Sequence, residues 1–134
     1  MAAVIDTTPA PRRGWRIATG MLVLAVFAEA VFAGAMLSGV EWARRAHMMS
    51  AAALIVLSLL SALAALFALR RVANGPKLGW ILLGLALVLI AQAIVGALSA
   101  KGANLMWLHV PLGVALVGLA GQAAATARSL GART

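Results

Sequence analysis

The residues best suited to chemistry in this chain are His47 and His109, its only two histidines. A neutral imidazole is the commonest side-chain metal ligand. His47 stands in residues 44–58, RRAHMMSAAALIVLS, where two arginines lead into a long apolar run. His109 stands in residues 105–121, LMWLHVPLGVALVGLAG, again near the start of an apolar run. A lone histidine near a membrane surface is ordinarily a tolerated polar residue. A pair matched in depth, on helices that run the same way, instead offers two ligands from one end of a bundle. The chain has no cysteine. That excludes disulfides, covalent heme attachment, thiolate ligands and iron–sulfur clusters. Two imidazoles offered from one end of a membrane bundle suggest a metal centre; heme iron is the best candidate, and heme b is the expected cofactor.

These ligands need a scaffold, and composition supplies its class. Of 134 residues, 64% are apolar and 10% charged. A soluble domain carries far more charge. The apolar residues run on for about 20 positions at a time, the length that crosses a bilayer's hydrocarbon core. The expectation is an all-α integral membrane protein in the lipid bilayer, an up-down-up-down four-helix bundle. Residues 1–14, with Pro9 and Pro11, read as a disordered tail, residues 15–128 as the bundle and residues 129–134 as a C-terminal tail. Helix one runs from Ile17 to about Ser38, helix two from Arg44 to Arg71 and helix three from Leu78 to Ser99. Helix four runs from Leu105 to Ala127, after a short loop at 101–104. Asn74-Gly75-Pro76 is the strongest turn signal. A cleaved signal peptide, with Ala33-Gly34-Ala35 as its processing site, is the alternative for the first run.

The net charge of +8 does not point to nucleic acid, because the cations fall at helix ends rather than on one face. Arg12, Arg13, Arg16, Arg70, Arg71, Lys77, Arg128 and Arg133 belong to one side of the bundle. Arg44, Arg45 and Lys101 belong to the other. The excess predicts cytoplasmic termini and histidines toward the outer face, in a membrane such as the bacterial plasma membrane.

The two halves of the chain repeat. Residues 28–38, AEAVFAGAMLS, read against residues 91–99, AQAIVGALS, if the first carries a two-residue insertion. Glu29 and Gln92 are 63 positions apart, His47 and His109 62. Each hairpin thus offers a polar residue deep in its first helix and a histidine early in its second. One turn after each histidine comes a small residue, Ala51 and Gly113, on the same face. Such residues let a flat macrocycle lie against the helix, although small residues also serve close helix packing. If a two-fold axis along the membrane normal relates the halves, the imidazoles face each other across it.

Each ligand imidazole also needs an acceptor for its second ring N–H. Ser50 and the Trp107 carbonyl, released from its helix partner by Pro111, are the candidates. Arg44, Arg45 and Lys101 are placed to meet the heme carboxylates, or else to snorkel to headgroups. Glu29 is the one acid within an apolar run, and a carboxylate there is costly and functional by default. It would hydrogen-bond Gln92 across the bundle, relay protons, or bond as a neutral acid to helix backbone. Met48 and Met49 read as gap fillers. Trp15, Trp42, Trp80 and Trp107 read as interface anchors.

Gln92, Gly96 and His109, in a glutamine, small-residue run, short loop, histidine order, resemble a hairpin of the heme A synthase family. That family has two four-helix halves, each with heme-ligating histidines on its second and fourth helices. Residues 17–127 are similar to one half, with His47 and His109 at those positions. The resemblance implies heme binding. A glutamate that family members commonly carry three residues before the second-helix histidine is Arg44 here. The arginine that often follows that histidine is Met48, and the cysteine pair of some members is missing. The departures weigh against heme oxidation more than against heme holding.

Two filled axial positions leave no site for oxygen chemistry, so electron transfer is the expected role, with a quinone or a redox protein as partner. The alternatives are a heme A synthase-like enzyme or heme-handling protein, with a homodimer restoring eight helices, and a cofactor-free accessory subunit.

Overall fold

The computed structural model describes residues 12–131. Four helices make up 86% of those residues, and no strand occurs among them. They are α1 (Arg12–Leu37), α2 (Glu41–Ala68), α3 (Gly75–Ala100) and α4 (Met106–Arg128). At about 1.5 Å per residue the shortest, 23 residues, spans about 35 Å, more than the hydrocarbon core of about 30 Å. All four are apolar enough to cross a membrane, so the chain is an integral membrane protein.

Successive helices pack against each other, and α1 closes the ring on α4. The backbones of the diagonal pairs α1–α3 and α2–α4 do not approach each other closely. The result is an up-down-up-down four-helix bundle, as composition and turn signals predict. The boundaries shift by a few residues. Helix α1 starts at Arg12, so residues 12–14 are helical rather than tail, and residues 1–11 lie outside the described residues. Helix α2 starts at Glu41, three residues before Arg44. Residues 129–131 are docked: the Gly131 N–H donates to the Ala73 carbonyl (2.9 Å), and Asn74 Nδ2 donates to the Ser129 carbonyl (3.0 Å). Helix α1 packs on both α2 and α4, so the first apolar run is an integral wall of the bundle.

Glycine sets the two outer turns. After α1, Gly39 adopts φ +84°, its N–H bonds the Met36 carbonyl, and the Val40 N–H bonds the Ala35 carbonyl. After α3, Gly102 adopts φ +99°, its N–H bonds the Ser99 carbonyl, and the Ala103 N–H bonds the Leu98 carbonyl. Both are the same left-handed helix stop, which a β-carbon disfavours. Gly39 and Gly102 are 63 positions apart, as are Glu29 and Gln92. The repeat therefore aligns without the expected two-residue insertion, and Ala33 rather than Gly34 corresponds to Gly96.

The core occupies one end. Thr19, Leu22 and Val26 of α1, and Leu54, Ser58, Ala62 and Ala65 of α2, recur every three or four residues and are buried. Leu78, Leu82, Leu85 and Leu89 of α3, and Leu116, Ala120, Ala123 and Ala127 of α4, complete it. Small residues let the backbones close in: a β-carbon on Gly79 would lie 2.6 Å from the Leu66 side chain. The core stops at the layer Val26, Leu54, Leu89 and Leu116. Beyond it, toward the Gly39 and Gly102 turns, Ala43 is the one fully buried residue among those described.

Candidate metal centre

Both histidines lie at that less filled end. His47 is six residues into α2 and His109 three into α4, depths of about 9 and 5 Å along their helices. They occupy opposite corners of the bundle, because the backbones of α2 and α4 do not approach each other closely. In both rings the sealed nitrogen is Nδ1. Nε2 is then the nitrogen through which either ring would coordinate.

Each ring has its own surroundings. His47 Nδ1 lies 2.7 Å from Glu29 Oε2, with the two side chains 21% and 14% exposed. Ser50 Oγ reaches the other oxygen of Glu29 and the Ala46 carbonyl (2.6 Å). The hydroxyl touches the acid and not the imidazole, so this is no activated nucleophile. A carboxylate behind an imidazole is the arrangement that orients a metal-ligating histidine and raises its basicity.

His109 is held differently. Gln92 Nε2 donates to its backbone carbonyl (2.9 Å), which fixes the main chain and leaves the ring without a polar partner. Pro111 interrupts the amide ladder just beyond. The ring rests over Gly96, where a β-carbon would come within 3.0 Å of His109 Cε1. Gly113 clears the Gln92 amide, which would lie 3.4 Å from a β-carbon there. Gln92 Oε1 and Ser99 Oγ, one turn before and one turn after Gly96 on the same face of α3, are sealed without partners.

Several expectations change on this geometry. Glu29 does not bond Gln92, because α1 and α3 are diagonal; each polar residue instead serves the histidine of its own hairpin. Ser50 supports the acid rather than the ring, and the Trp107 carbonyl is not an acceptor for His109 Nδ1. Gly113 makes room for Gln92, and Ala51 is half-buried at the matching place on α2. Arg44, Arg45 and Lys101 are exposed at the same end as the histidines. Met48 and Met49 point outward, 65% and 62% exposed, away from a ligand role. Trp42, Trp80 and Trp107 are exposed as anchors should be, whereas Trp15 packs partly on the core. Two surface hollows, of about 540 Å³ beside Arg12, Arg13 and Arg16 and about 430 Å³ beside Trp15 and Leu60, both lie toward the filled end.

Compared with family models, curated proteins and solved structures, the chain matches none. The donor set therefore has to be judged on its own chemistry. Two imidazoles from opposite corners, with no group of three or more metal-ligating side chains among the described residues, fit a planar macrocyclic iron better than a bare ion. A bare structural zinc asks for four protein ligands.

Proposed function

We propose that the protein is a small membrane b-type cytochrome that holds one heme between His47 and His109 and passes electrons. The observation that carries this reading is the pair of half-buried imidazoles, each with Nδ1 turned into protein, on diagonal helices where the packed core ends. Bound heme supplies a one-electron couple between ferric and ferrous iron. The chain's own residues do the rest. His47 and His109 would hold the iron, and Glu29 with Ser50 would fix the His47 ring. Gln92 holds the main chain that carries His109. Arg44, Arg45 and Lys101 offer cations to propionates at the rim. The excess of Lys and Arg at the other end of the bundle supports a rim on the outer side of the membrane with the termini in the cytoplasm. A quinone in the bilayer or a redox protein at the rim would exchange electrons with the centre.

The resemblance to one half of a heme A synthase supports the same two ligands. Heme modification is the second reading, favoured by the carboxylate beside His47, and a second copy would complete the eight-helix plan.

The test is a spectrum. Expressed with adequate heme supply and purified in detergent, the protein should show the sharp reduced-minus-oxidised bands of a low-spin bis-imidazole heme. A colourless, stably folded protein ends the proposal and leaves a membrane scaffold. Heme recovered chemically altered would move the assignment to the enzyme.

A further inference from the structure

The two hairpins repeat in sequence, yet they hold their histidines by different parts. In the first, the ring itself is gripped: Glu29 lies 2.7 Å from His47 Nδ1, and Ser50 steadies the acid. In the second, only the backbone is gripped. Gln92 binds the His109 carbonyl, the ring Nδ1 is sealed with no partner, and the floor is a bare glycine. The residue corresponding to Ser50, three positions after the histidine, is Leu112. Pro111 removes an amide from the helix turn that carries His109. An outer carboxylate makes an imidazole both better aimed and a stronger donor, and losing one typically costs 10- to 100-fold in metal affinity.

From this asymmetry we infer that His47 is the anchoring ligand and His109 the exchangeable one, so that the α4 side of the site admits a small neutral donor such as carbon monoxide. The inference rests on the heme reading above and sharpens it. In the exchange, the bond from iron to His109 Nε2 breaks and one to the incoming donor forms. No electron moves between iron and ligand, and the imidazole stays neutral.

The full-length protein, reconstituted with heme in detergent, tests this by heme stoichiometry, optical spin state and carbon monoxide binding after reduction. His109→Gly should keep heme near the wild-type stoichiometry but convert it to high spin, and added imidazole should restore the low-spin spectrum. His47→Gly should lose heme at least about 10-fold more readily, and Glu29→Gln should shift retention in the same direction by about 10-fold. Gly96→Val, which touches neither ligand bond, should push the His109 ring and raise carbon monoxide binding without releasing heme. Wild-type reduced protein should bind carbon monoxide. Equal heme loss from the two histidine variants, or a reduced wild type that refuses carbon monoxide, overturns the inference while the cytochrome reading stands. If the wild type takes up no heme at all, the cytochrome reading itself fails, and the inference with it.

Discussion

The end of the bundle where α1 begins and α4 ends is densely buried, and the end that holds the histidines is less so. At the first, leucines and alanines from all four helices are fully buried, and the C-terminal turn is tied to the α2–α3 loop. At the second, inward positions are half-buried and polar: Glu29, His47 and Ser50 on one side, Gln92, Gly96 and His109 on the other. Helices in a bilayer gain little from hiding apolar surface, since lipid is equally apolar. Close packing and polar contacts hold them together. The filled end uses the first and the open end the second, which separates the part that keeps the fold from the part free to do chemistry.

Substitutions at matched depths can break that division. The largest effect is expected from Leu82→Ala, which opens a cavity in the filled end. It should lower unfolding free energy by about 2–5 kcal/mol in a denaturation titration of the detergent-solubilised protein. A loss below about 1 kcal/mol would show that this end is not rigidly packed. Gly75→Ala comes next. Its β-carbon would overlap the Leu69 backbone oxygen, far inside van der Waals contact, so a loss of about 3 kcal/mol and a shifted α2–α3 loop should follow. Glu29→Leu at the open end removes a polar cluster rather than a packed side chain. Its cost should be smaller, about 1 kcal/mol in thermal unfolding. Gln92→Leu should cost about 0.6 kcal/mol, the ordinary worth of one hydrogen bond between membrane helices, with His109 backbone amide exchange quickened. The smallest effect, with the opposite sign, belongs to Gly34→Ala, because nothing lies within 4 Å of the added carbon. A gain of up to about 1 kcal/mol from helix propensity is expected there. A Gly34→Ala cost comparable to that of Gly75→Ala would erase the distinction between the ends.

The helices were legible in the chain because breakers punctuate it. Asn74 in a left-handed conformation followed by Gly75-Pro76, and glycines at 39 and 102, stand where the apolar runs stop. Which end is filled was not legible. Leu60 and Leu63 face outward while Leu82 and Leu85 are buried, and the four look alike when lipid and core are both apolar. The shared depth of the histidines could be read from spacing alone. The partner of Glu29 could not, because pairing depends on which helices are neighbours. A repeat sets Glu29 and Gln92 at equal depth, which invites a bond between them, but α1 and α3 occupy opposite corners. Gly96 gave a signal, being a glycine at the depth of a histidine, but its role as the floor under that ring needed the fold.

Because the backbones of α2 and α4 do not approach each other, the distance between His47 and His109 is set by α1 and α3, which lie between them on either side. A larger side chain on the inward face of α1 or α3 would spread that diagonal along its own flank. The spacing of the two imidazoles is therefore tunable from helices that carry neither of them.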